Sequence, residues 1–66
     1  MINKMASPTM IQKFLYKVNL SNLIKLFEDE QIDYDILGYM SKNDFDDIGV
    51  CNEDYLTIVN NLLLIL

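Results

Sequence analysis

Histidine and arginine are absent from this 66-residue chain, and cysteine and proline occur once each, at Cys51 and Pro8. Without histidine there is no imidazole base for a nucleophilic triad, and one thiol alone cannot build a Cys/His zinc site. A lone cysteine also excludes a disulfide within the chain. Long apolar runs are missing too. The longest is Leu62–Leu66, far below the roughly 20 residues that span a bilayer. Residues 1–6, MINKMA, lack the apolar segment of a signal peptide. With one unpaired thiol and no secretion signal, the chain is expected to be intracellular and cytoplasmic. Residues 1–6 read as a leader outside the fold, disordered or added to the natural chain, and 7–66 as one domain.

What is present favours a compact fold. Hydrophobic residues make up 52% of the chain and charged residues 23%, with only two glycines, a balance that disfavours disorder. A domain below about 70–80 residues has little core to spare, so it depends on well-packed helices, on a partner, or on both. Charge is unevenly placed. All five lysines (4, 13, 17, 25 and 42) fall in residues 1–42, where five acids balance them; residues 43–66 carry five acids and no base. Nucleic acid needs clustered cations to displace its counterions, and an anionic membrane would repel the same acids. The natural complement is a basic protein surface.

The apolar spacing is helical throughout and divides into five pieces. Ser7 and Pro8 suit a helix start, and Met10, Ile11, Phe14, Leu15 and Val18 give one face of a helix ending near Asn19. After a turn at Leu20–Ser21, Leu23, Ile24 and Phe27 mark a second helix that dissolves into Glu28-Asp29-Glu30. A third, about two turns long, carries Tyr34, Ile36, Leu37 and Met40. Ser41 with Asp44 three residues later resembles a capping box, opening a fourth helix with Phe45 and Ile48 inside and Gly49 as its stop. Asn52 is expected to cap a final helix from about 53 to the end. The expected class is all-α, a five-helix bundle with a longer C-terminal helix.

That last helix is apolar over more than one face. Leu56, Val59, Leu63 and Leu66 form one stripe; Tyr55, Ile58, Leu62 and Ile65 form another with the same spacing. The expected core is Phe14, Leu15, Val18, Leu23, Phe27, Leu37, Phe45, Ile48, Val59 and Leu63. Met10, Ile11, Tyr55, Ile58, Leu62 and Ile65 are left as candidates for an apolar interface. Tyr16, Tyr39 and Tyr55 read as half-exposed anchors.

Chemistry finds little support. Asp33, Asp35, Gly38 and Asp44 match positions 1, 3, 6 and 12 of a calcium loop. Leu37 at position 5 is no oxygen donor, and Asp44 replaces the longer bidentate glutamate. Acid pairs such as Asp44 and Asp47 read as caps and solvated charges. Cys51 has no nearby cation and reads as a partly buried, inert thiol. No catalytic residue, metal ligand or cofactor is expected.

The order and spacing of these pieces, over roughly 9–66, resemble the sterile alpha motif (SAM) domain, a five-helix bundle. Phe14-Leu15 stands for the family's Trp-Leu pair, Leu20 for the Leu after helix 1, and Leu23 with Phe27 for the Tyr…Phe of helix 2. Ile32-Asp33 is similar to its Ile-Asp, Ile36-Leu37 to its paired leucines, Met40 to Phe45 to Leu-Thr-x-x-Asp-Leu, and Ile48-Gly49-Val50 to Leu-Gly-Ile. The chain departs at Asp54-Tyr55-Leu56, where many members carry Gly-His-Arg; that basic site serves head-to-tail polymers and, in a subset, RNA hairpins. The resemblance implies a non-catalytic interaction module. Its acidic mid-loop face would be Asp29, Asp33, Asp35, Asp44, Asp46 and Asp47, offered to another SAM-type domain with a basic face. A homodimer or small oligomer of the chain itself is the other implied partner, through the apolar candidates or through Lys13, Lys17 or Lys25 meeting acids 44–47. RNA-hairpin binding is the alternative, disfavoured by the acidic C-terminal half. Phe14-Leu15, Met40 and Asp44-Phe45 are also similar to the SAM domain of germ-cell scaffolds that join ankyrin repeats, SAM and a leucine zipper. That narrower resemblance implies a piRNA-pathway scaffold at germ granules or the mitochondrial surface.

Overall fold

The computed structural model describes residues 9–65, and the side chains of residues 9–62. Within that range the chain is entirely helical and turn, as expected: five α-helices, α1 (Met10–Lys17), α2 (Ile24–Asp29), α3 (Tyr34–Leu37), α4 (Lys42–Asp47) and α5 (Asn52–Ile65), with a 3-10 turn at Ser21–Leu23 leading into α2.

The starts of α1, α3 and α4 are set by local side-chain hydrogen bonds. Thr9, not Ser7, begins α1: its Oγ1 accepts from the Gln12 N–H at 3.3 Å, and Gln12 Oε1 accepts from the Thr9 N–H at 2.9 Å. Ser7 and Pro8 lie outside the described residues. Gln12 also donates from Nε2 to Glu28, 3.0 Å away, tying α1 to α2. Asp33 caps α3 by accepting from the Ile36 N–H at 3.0 Å. At α4 the expected capping box is present, Ser41 and Asp44 each accepting from the other's backbone N–H at 3.2 and 3.0 Å. Such reciprocal caps satisfy two otherwise orphaned donors. Helix α5 begins one residue earlier than its composition suggests, with Asn52 already inside it and the Cys51 carbonyl accepting from the Tyr55 N–H.

Three helices end by one device. After α1, α2 and α4 the chain passes through a left-handed residue, Asn19 (φ 65°), Gln31 (φ 58°) and Gly49 (φ 90°). The next N–H, of Leu20, Ile32 or Val50, returns to the carbonyl of Leu15, Phe27 or Phe45 at 2.7, 2.8 and 3.0 Å. These are Schellman motifs, in which an apolar residue just past the helix packs beside the last inward-facing one. All six residues of these pairs are buried.

The core contains Ile11, Phe14, Leu15, Leu20, Leu23, Phe27, Ile32, Leu37, Phe45, Val50 and Ile58. Phe14, Leu15, Leu23, Phe27, Leu37 and Phe45 stand where expected, with Val18 and Ile48 half-buried against them. Edge-to-face aromatic pairs join helices: Phe14 with Tyr34 (centroids 5.5 Å) ties α1 to α3 across α2, and Phe45 with Tyr55 (5.3 Å) ties α4 to its neighbour α5. Helix α3 is a single turn rather than two. Gly38 ends it, Met40 reaches the core from the following turn, and Ile36 faces outward, 43% exposed.

The faces of α5 are reversed from expectation. Ile58 is completely buried, and Tyr55 and Leu62 pack beside it. Leu56 is 47% exposed and Val59 half-buried. The cause is the polar side: Glu53, Thr57 and Asn60 fall together at helical spacing, and the side opposite them is the Tyr55/Ile58/Leu62 stripe. Leu63 and Ile65 lie outside the described side chains.

Candidate interaction surface

The residues nominated for an apolar interface are therefore divided. Met10 is on the surface, 61% exposed. Ile11 and Ile58 are core, and Tyr55 and Leu62 close over it, so the stripe they form serves the fold rather than a partner. Among the described residues the large exposed apolar side chains are instead Met10, Tyr16, Ile36, Tyr39 and Leu56. Tyr39 stands out at 89% exposure, on the turn joining α3 to α4, three residues after Ile36. Of these, Ile36 and Leu56 escape a reading by periodicity. The shortness of α3 and the polar side of α5 are the signals that separate them from the core.

All six nominated acids are exposed, but they are differently engaged. Asp33 and Asp44 spend one oxygen each on helix caps. Asp29 pairs with Lys25 at 3.5 Å and Asp46 with Lys42 at 3.2 Å, both one turn apart and open to solvent. Such exposed pairs contribute at most about 0.5 kcal/mol. Lys42 also lies 5.7 Å from the Tyr55 ring, covering its outer side. Asp35 and Asp47 are in no ion pair among the described residues. Lys25, offered above as a contact to another copy, is thus occupied, whereas Lys13 and Lys17 on α1 are in no ion pair among the described residues.

One concavity adjoins this surface, a shallow open groove of about 240 Å³ between the start of α1 and α3, lined by Thr9, Met10, Ile11, Asp33, Tyr34 and Asp35. Asp33 and Asp35 belong here to a capped helix turn, not to a calcium loop. Among the described residues no three acids or thiols gather in a way that could hold a metal ion, and no helix is long and apolar enough to cross a membrane. Cys51 is exposed, not partly buried, because it lies on the turn just before α5.

The family model described as SAM domain (sterile alpha motif) matches residues 5–62. No curated protein and no solved structure matches the chain significantly. The match reaches the family and lends no support to the narrower resemblance to germ-cell ankyrin-repeat scaffolds.

Proposed function

Because the chain belongs to the SAM domain family, whose members are generally non-catalytic protein–protein interaction modules, we propose that it docks another SAM-type domain bearing a basic face. The observation that carries this reading is the α3–α4 side. There Tyr39, 89% exposed, and Ile36, 43% exposed, stand next to Asp35 in sequence and are followed by Asp46 and Asp47 on α4. An exposed aromatic anchor is the usual energetic centre of an interface, and surrounding charge of one sign selects the partner and speeds encounter. The start of α5 cannot supply the basic half of such a pair, since Glu53 and Asp54 occupy its first turn.

An amide chemical-shift titration tests the reading, with a SAM domain whose final helix begins with basic residues as the added partner. Shifts are expected at Ile36, Tyr39, Asp46 and Asp47, weakening between about 50 and about 500 mM NaCl as the charges are screened. Tyr39→Ala and Asp47→Lys are expected to abolish them while leaving the fold intact. Shifts confined to other surfaces, or none, would overturn the proposal. An RNA hairpin added at about 150 mM salt is expected to leave the spectrum unchanged; binding there would put the RNA reading in its place.

A further inference from the structure

Along the outer side of α1, Met10, Lys13 and Lys17 recur at three- and four-residue spacing, a stripe roughly 10 Å long. All three are exposed. At the Met10 end, α3 adds opposite charge: Asp33 and Asp35 line the groove together with Tyr34 and Met10. The stripe thus runs from an acidic, partly apolar groove at one end to Lys17 at the other. Lys17 is in no ion pair among the described residues.

A surface with acid at one end and base at the other complements itself when turned end for end. We propose that two copies of this domain pair through this stripe about a two-fold axis, with α1 antiparallel to its symmetry mate. Each groove then receives Lys17 of the other copy. The lysine's aliphatic stem covers Met10, and its ammonium group reaches Asp35. Two such contacts form at once, as an isologous interface requires, and the assembly closes at two. Lys13 lies near the axis, where the two copies present it to each other, so this lysine opposes the pairing that Lys17 favours. The contact is small, which places it among weak, salt-sensitive associations. The inference rests on reading the domain as an interaction module but uses a different surface from Tyr39.

Sedimentation equilibrium from about 5 to about 500 μM, a range that brackets weak association, tests it. The wild-type domain is expected to approach a dimer and go no further. Lys17→Glu and Asp35→Lys are each expected to weaken the dimer at least about tenfold, since each sets like charges opposite one another twice. An equimolar mixture of the two variants restores opposite charges at both contacts and is expected to recover a one-to-one pair. Lys13→Gln is expected to strengthen the wild-type dimer. Neither Lys17 nor Asp35 caps a helix or enters the core, and circular dichroism checks that both variants fold. A wild-type monomer across the range, a mass beyond the dimer, a mixture that stays monomeric, or a Lys13→Gln dimer weaker than wild type would each overturn the inference. A monomer would leave docking to a different SAM domain standing, because that is scored with another partner and with Tyr39→Ala.

Discussion

Replacing Ile58 by alanine tests which side of α5 faces inward. Ile58 has no exposed surface, and it meets the core from the helix that closes the bundle. Deleting most of a fully buried isoleucine costs about 2–5 kcal/mol through lost transfer energy and the cavity left behind. A domain of this size holds roughly 3–10 kcal/mol in total, at about 0.05–0.15 kcal/mol per residue. An expected loss of about 3 kcal/mol therefore removes a third or more of the stability and lowers the melting midpoint on the order of 12–24 °C, at about 4–8 °C per kcal/mol. Leu56, 47% exposed, has about half its surface in water already, so Leu56→Ala is expected to cost under about 1 kcal/mol. Urea unfolding followed by helical circular dichroism gives both numbers on one scale. Equal losses, or a larger one for Leu56→Ala, would refute the orientation of α5 and return the Leu56/Val59 stripe to the core.

The left-handed helix ends give a paired expectation. Gln31→Gly is expected to stabilise by about 1 kcal/mol, because a glutamine at φ 58° bears a steric cost that glycine does not. Gly49→Ala is expected to cost about 1 kcal/mol for the same reason, since its φ is +90° and a Cβ there meets nothing within 4 Å. Thermal melts of both variants check the signs. Ser41→Ala removes half the α4 capping box and is expected to cost about 1 kcal/mol in urea unfolding. Cys51, being exposed, is expected to react fully with a thiol-specific chromophore in the folded protein; protection until denaturant is added would contradict its placement.

What the sequence discloses is mostly what is settled within a few residues. The Ser41–Asp44 box, the Gly49 stop and the inward Phe14/Leu15 pair all follow from short-range hydrogen bonding and spacing, and all are found. Helix α5 was less legible because its two apolar stripes have identical spacing; periodicity alone measures amphipathicity and cannot rank two such faces. The polar trio Glu53, Thr57 and Asn60 breaks the tie, and reading the helix from its polar side gives the observed orientation. The exposure of Ile36 depends on where α3 stops, which spacing alone does not fix; Tyr39, read as a half-exposed anchor, is more exposed than that. The candidate surface was half visible. Its acids are evident from composition and the Lys25–Asp29 pair from its four-residue spacing, whereas the groove that Asp33 and Asp35 line with the start of α1 is a tertiary fact.

The three repeated helix ends also bear on how quickly the chain organises itself. Each reversal is closed by hydrogen bonds between residues no more than five positions apart, and each brings its own pair of apolar side chains together on the spot. The bends after α1, α2 and α4 can therefore form inside separate short stretches, with little loop-closure entropy to overcome. What remains is a search over the docking of pre-bent pieces, and topologies rich in such local contacts fold in microseconds to milliseconds. Ile58 is fully buried and comes from α5, so the slow event is expected to be the seating of α5 and not the shaping of any turn.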